Sequence, residues 1–249
     1  MFLLCCMVSF AIPAGEADTP SARNILLEAT RKLNSAKTYR MKFREEAAGM
    51  QIQNTIVIKK ESDGILSSYH EVKYLSHEKR QPPTLVRIVD QNKIYILPEG
   101  VKNTAVRLKY EERPEMSSAV NFFYEGGELE MLNETKTCYR IKYTCSQQEE
   151  KDMLAALPKD QQAAVFDSLP TIFIYSINKE NALLEGLICF TRMGKIVKKI
   201  QFDVFELNCS VDDKIFRIPQ QYRILTAHNT KDVTKIQNKL MNDIKKGKN

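Results

Sequence analysis

Apolar side chains recur at spacings of three and four through residues 21–36: Ala22, Ile25, Leu26, Ala29 and Leu33. That is the period of a helix with one buried stripe. Thr19 or Ser21 is placed to cap it, and Pro20 suits a first turn. The period then falls to two. Tyr39, Met41 and Phe43 alternate with Arg40, Lys42 and Arg44. After Ala47-Ala48-Gly49 the alternation resumes in Met50, Ile52, Ile56 and Ile58, interrupted by Asn54. These two segments predict a hairpin. A third strand is expected over 65–75. A second hairpin, 86–89 with 94–97, closes around residues 90–93, and another strand follows over 101–110.

Residues 114–124 read as a helix stopped by Gly126-Gly127, with a short helical piece over 128–132. Strand character returns at 137–145, where Tyr139, Ile141, Tyr143 and Cys145 share one face and Arg140 and Lys142 take the other. A helix over 149–169, broken near Pro158, carries Met153, Leu154, Leu157, Val165, Phe166 and Leu169. Three strands follow, over 171–177, 182–191 and 195–207, with Arg192-Met193-Gly194 closing the last hairpin. A final strand is expected over 214–219. A tail helix over 231–245 has a Val233, Ile236, Leu240 and Ile244 stripe.

The count is nine to eleven strands, joined mostly by hairpins and hence antiparallel, with three or four helices. The fold class is mainly β with α. Strands apolar on one face and basic on the other suit a sheet with one wet side.

Composition narrows the picture. The chain has 249 residues, 43% of them hydrophobic, enough to fill the core of one domain over 18–249. With 9 glycines there is no G-x-x-x-x-G-K-[ST] and no G-x-G-x-x-G phosphate loop. The net charge of +6 is spread over outer strand faces among carboxylates, and no aromatic RNA motif appears. The basic residues therefore read as a solvated face, not as a nucleic-acid stripe.

No active site is legible. His70 and His77 each lack a second histidine four residues on, and seven residues apart on a strand they point to opposite faces. His228 stands alone. There is no G-x-S-x-G. The pairs Glu45-Glu46, Glu111-Glu112, Glu149-Glu150 and Asp212-Asp213 are sequence neighbours, and on a strand such neighbours diverge. No metal, cofactor or enzymatic activity is expected. Cys138, Cys145, Cys189 and Cys209 have no zinc spacing; an exported chain allows zero, one or two disulfides among them. Cys189, inside Leu187-Ile188-Cys189-Phe190, reads as a small buried hydrophobe.

The start of the chain points to export. Apolar residues 2–11 are followed by Ala14, Gly15 and Ala17, which reads as a signal peptide cut after Ala17. No Lys or Arg precedes the run, and the other reading is a buried first strand. The run is too short for a membrane anchor. Leu3-Leu4-Cys5-Cys6 lacks the small residue expected before an acylated cysteine, so a lipid-anchored form is not expected. The protein is expected in the periplasm.

Three segments together resemble a known family. They are the helical Ile25-Leu26-Leu27-x-Ala29, the strand Tyr39-Arg40-Met41-Lys42-Phe43, and the closing Asp213-Lys214-Ile215-Phe216-Arg217-Ile218-Pro219. Their order over residues 21–225 resembles the LolA/LolB-like superfamily of bacterial periplasmic proteins. It includes carriers of outer-membrane lipoproteins and RseB-type regulators of envelope stress. The resemblance implies an open, strongly curved antiparallel half-barrel lidded by helices, which binds acyl chains or lipid-modified partners without a cofactor. The tail helix and four mature cysteines depart from the carriers, and no polar gating residue of theirs matches a position here.

A large sheet covered by few helices would leave an apolar cavity. Strand parity selects its lining: Tyr39, Met41, Phe43, Ile52, Ile56, Ile58, Tyr139, Ile141, Tyr143, Ile200 and Phe202. The opposite parity carries Arg40, Lys42, Arg140, Lys142 and Lys199. Leu154, Leu157 and Phe166 are the expected lid. The expected partner is the acyl chain of a lipid or lipoprotein, with an inner- or outer-membrane protein as a further one. The alternative is a non-enzymatic sensory or scaffolding module that binds another envelope protein.

Overall fold

The computed structural model describes residues 20–60, 66–75, 85–90, 93–98, 101–109, 126–157 and 159–245. The leader, residues 114–124, His77 and the pair Glu111-Glu112 lie outside them. The elements in chain order are α1 (Ala22–Ser35), β1 (Thr38–Ala47), β2 (Met50–Lys60), β3 (Leu66–Tyr74), β4 (Leu85–Asp90), β5 (Lys93–Pro98) and β6 (Thr104–Leu108). Next come β7 (Glu128–Met131), β8 (Cys138–Thr144), α2 (Gln147–Ala155), α3 (Lys159–Val165), β9 (Ile172–Asn178), β10 (Leu184–Phe190) and β11 (Ile196–Leu207). The chain ends with β12 (Arg223–Ala227) and α4 (Thr230–Lys245), and short 3-10 turns span Phe166–Ser168 and Asp213–Phe216.

The twelve described strands form one sheet in the order β12-β6-β5-β4-β3-β2-β1-β11-β10-β9-β8-β7. Its end strands do not pair with each other, so the sheet is open. The β1–β2 turn places Ala48 and Gly49 at φ 51 and φ 78, the left-handed pair that a tight two-residue hairpin needs.

Four expectations are corrected. Residues 128–131 form strand β7 instead of a helix. Leu129 lies opposite Tyr143 and Met131 opposite Ile141, so pairing at the sheet edge brings both apolar side chains onto a buried cluster. Residues 213–216 form a 3-10 turn, held by the Asp212 carboxylate accepting from Lys214 N at 3.0 Å. The last strand is β12, and it runs parallel to β6, with Leu225 opposite Val106. Finally, the sheet does not have one uniformly wet side, as the second unit below shows.

The chain divides into two compact units. Among the described residues, one unit takes those within 20–36, 44–49 and 126–205, and the other those within 37–43, 50–109 and 206–245. In the first unit, Ser21 Oγ accepts from Asn24 N at 3.2 Å and starts α1. The helix lays Ala22, Ile25, Leu26 and Ala29 onto Ile141, Tyr143, Phe173, Tyr175 and Ile177. Register makes that face continuous: Tyr143 faces Phe173, and Phe173 faces Cys189. Leu26, Ile141 and Ile177 are fully buried, each worth up to about 1.5–3 kcal/mol of apolar transfer.

In the second unit both faces carry apolar clusters. Ile94 and Ile96 pack with Val106, Leu108 and Ala227 under Val233 and Ile236 of α4. Their neighbours Tyr95 and Leu97 pack with Ile88, Ala105, Ile218 and Tyr222. Alternation along β5 sends these two sets to opposite sides.

Candidate ligand-binding face

The expected lining falls into two groups, one in each unit. In the second unit, Lys60 N–H donates to the Lys37 carbonyl at 2.8 Å, tying β2 antiparallel to β1. Tyr39, Met41 and Phe43 share one parity on β1, and Ile52, Asn54, Ile56 and Ile58 share one on β2. Tyr39 is buried, which pushes its phenol up to about 12. Met41, Phe43, Ile52, Ile56 and Ile58 are only half-buried.

Asn54, in the same row, is 5% exposed. The His70 ring on β3, opposite Ile56, donates from Nε2 to Asn54 Oδ1 at 3.0 Å. The sequence showed Asn54 only as an interruption of the alternation, and His70 only as a failed metal ligand. The available signal was parity: an amide at a position whose neighbours are all isoleucine.

In the first unit, Ile141 and Tyr143 are sealed beneath α1. Tyr139 is half-buried, with Lys179 Nζ 5.0 Å from its ring centroid. Ile200 is half-buried opposite Leu187, and Phe202 stacks on Phe205 with centroids 5.2 Å apart. Of the expected lid, Leu154 and Leu157 are half-buried and Phe166 is 56% exposed. Met153 is the α2 side chain that packs on the core. Of the cations of opposite parity, Arg40 pairs with Glu206 at 3.3 Å, and Lys142 with Glu130 at 3.0 Å.

The neighbouring carboxylates diverge. Glu45 pairs with Lys198 at 2.8 Å, whereas Glu46 reaches Lys199 at 3.8 Å. Glu149 is buried and accepts from Tyr143 Oη, while Glu150 pairs with the exposed Arg192. Asp213 pairs with Lys59, whose hydrogen bond and charge hold its carboxyl below the ordinary range.

The four described cysteines are free thiols. Burial, then the Glu149 and Glu150 charges, pushes Cys145 up to about 12. Burial pushes Cys189 up to about 11, with Lys198 opposing. Cys138 is raised by burial and by donating to Glu185 Oε2 at 2.7 Å. Thiols held protonated in this way are poor nucleophiles and poor metal ligands.

No family model matches the sequence, and no curated protein matches it. Solved structures do. The chain is similar to a chain of the MucA/MucB complex from Pseudomonas aeruginosa at 12% identity, with TM-score 0.45, over 83% of its own length and 64% of that chain. It thus spans less than two thirds of that chain. It is similar to LprF from Mycobacterium bovis at 9% identity, with TM-score 0.46, over 82% of its own length and 99% of that chain. It is similar to a LolA superfamily protein from Nitrosomonas europaea at 11% identity, with TM-score 0.29, over 79% and 97%. At these identities the likeness concerns fold alone.

Proposed function

We propose that this chain is an exported, non-enzymatic binding protein of the periplasm that holds the acyl chain of a lipid or lipoprotein against its sheet. The observation that carries the reading is the half-buried row of Met41, Phe43, Ile52, Ile56 and Ile58. Five large apolar side chains on two paired strands keep part of their surface uncovered, and an acyl chain laid along them would remove it from water. In the first unit, the half-buried Ile200, Phe202 and Tyr139 form a separate apolar group, with Leu154, Leu157 and Phe166 beside it in sequence as that unit's candidate cover. Among the described residues no helix is long and apolar enough to cross a membrane. The leader read from the sequence supports delivery across one.

The test is to purify the protein from the envelope fraction, extract it with organic solvent and analyse the extract by mass spectrometry. Near-stoichiometric acyl lipid or lipoprotein is expected. An empty extract, together with no uptake of added acyl probe, overturns the reading.

A second reading has its own support. The covered face of the first unit, with Ile141 and Tyr143 sealed under α1, suits a scaffold that presents surfaces to another envelope protein and needs no ligand there. Crosslinking in the envelope separates the two readings: a defined protein adduct formed by lipid-free protein favours the scaffold.

A further inference from the structure

A buried amide in an apolar row costs stability unless both of its ends are paired. Asn54 is such an amide. Its side chain is 5% exposed and shares β2 parity with Ile52, Ile56 and Ile58. His70 Nε2 lies 3.0 Å from Oδ1 and pairs with that end of the amide. The other end, Nδ2, is buried and has no hydrogen-bond partner among the described residues. A leucine at this position would pack without that cost, and the residues flanking Asn54 on the same parity are isoleucines.

We infer that Asn54 Nδ2 is the polar contact for the ligand's carbonyl oxygen, so that the row takes an acyl ester or amide and discriminates against a plain hydrocarbon. This deepens the acyl-binding reading and rests on it. The geometry supplies what such a ligand needs: half-buried aliphatic and aromatic side chains for the chain, and one oriented N–H donor within the row for the carbonyl. His70 is a positioning residue, since it holds the amide by Oδ1 and leaves Nδ2 to the ligand. The donor carries no charge, so the matching acceptor is a neutral carbonyl. A free carboxylate would be stripped of water beside Ile56 with only one neutral donor to meet it.

The test uses the delipidated full chain loaded with dodecylpyrene, a probe with no carbonyl. Methyl palmitate and heptadecane, which are similar in length, are compared as displacers. Wild type should bind the ester about tenfold more tightly than the alkane, the value of one buried hydrogen bond that also satisfies an orphaned donor. Asn54→Leu should lose that preference by weakening the ester alone, and its melting temperature should hold or rise. Equal displacement by ester and alkane in wild type overturns this inference while leaving the acyl reading standing. No uptake of dodecylpyrene and no binding of either displacer overturns both. If Asn54→Leu does not fold, Asn54 is needed for packing, and the wild-type comparison of ester with alkane decides alone.

Discussion

The Tyr143 hydroxyl donates to the Glu149 carboxylate at 2.5 Å, joining a strand residue 1% exposed to the first turn of α2. The other carboxylate oxygen of Glu149 accepts from Ser146 N at 2.7 Å and Ser146 Oγ at 3.0 Å, closing a capping box. Tyr143→Phe should therefore lower stability by about 1–3 kcal/mol, because one buried carboxylate oxygen loses its donor. A Cβ at Gly127 would collide with the hydroxyl end of the same ring. That ring is buried, so Gly127→Ala should also destabilise, by about 1–3 kcal/mol of overpacking. Denaturant unfolding of both variants checks this; wild-type midpoints would show that the ring can move.

The raised thiols should contribute to a loss of stability at alkaline pH. Cys145 at about 12 and Cys189 at about 11 both stand above the ordinary 9.0. Between those values the folded state binds more protons than the unfolded state, so stability falls as pH rises. The contribution is fully present below about pH 9 and declines from there toward the folded values. Cys145→Val should flatten this alkaline decline and leave the neutral-pH melting temperature close to wild type. A melting-temperature series from pH 7 to pH 11 reads it; an unchanged slope would assign the decline to other groups, Tyr39 first among them.

α4 should behave as part of the second unit. Val233 is 5% exposed and packs with Ile236 on Val106, Leu108 and Ala227. Truncation after Ala227 should lower the melting temperature, and Val233→Ala alone should cost about 1–3 kcal/mol. Unchanged melting combined with lost binding to anionic liposomes would instead make α4 a membrane-surface helix.

Phe43 and Ile141 should respond oppositely to a carboxylate. Ile141 is fully buried under α1, so Ile141→Glu buries an unpaired charge and should prevent folding of its unit. Phe43 is half-buried, and Phe43→Glu should fold while losing uptake of an acyl probe. Circular dichroism with fluorescence titration decides; wild-type uptake by Phe43→Glu would remove the β1 row from the ligand face.

Parity was legible and coverage was not. The period of two placed Tyr39, Met41 and Phe43 on one side of β1, and Tyr139, Ile141 and Tyr143 on one side of β8, because alternation is a local property of extended backbone. What lies over each row depends on partners distant in sequence. α1 covers the β8 row from more than a hundred residues away, and nothing in residues 137–145 encodes that. The β7 segment misread for the same reason: four residues carry too little period to separate helix from strand, and pairing with β8 decided it.

The sequence by itself determined the periods, the hairpins and hence the mainly antiparallel pairing, a cap for α1 at Thr19 or Ser21 and the lack of any phosphate-loop or zinc-spacing motif, since each depends on residues a few positions apart. Only the tertiary structure decided that β12 pairs with β6 in parallel, that a second apolar cluster forms on the other face of β5, and that His70 meets one end of the Asn54 amide while the other end has no partner among the described residues. Those outcomes depend on which surfaces meet after the chain has folded back on itself, and the free energy of burying a side chain is set by the neighbour that covers it.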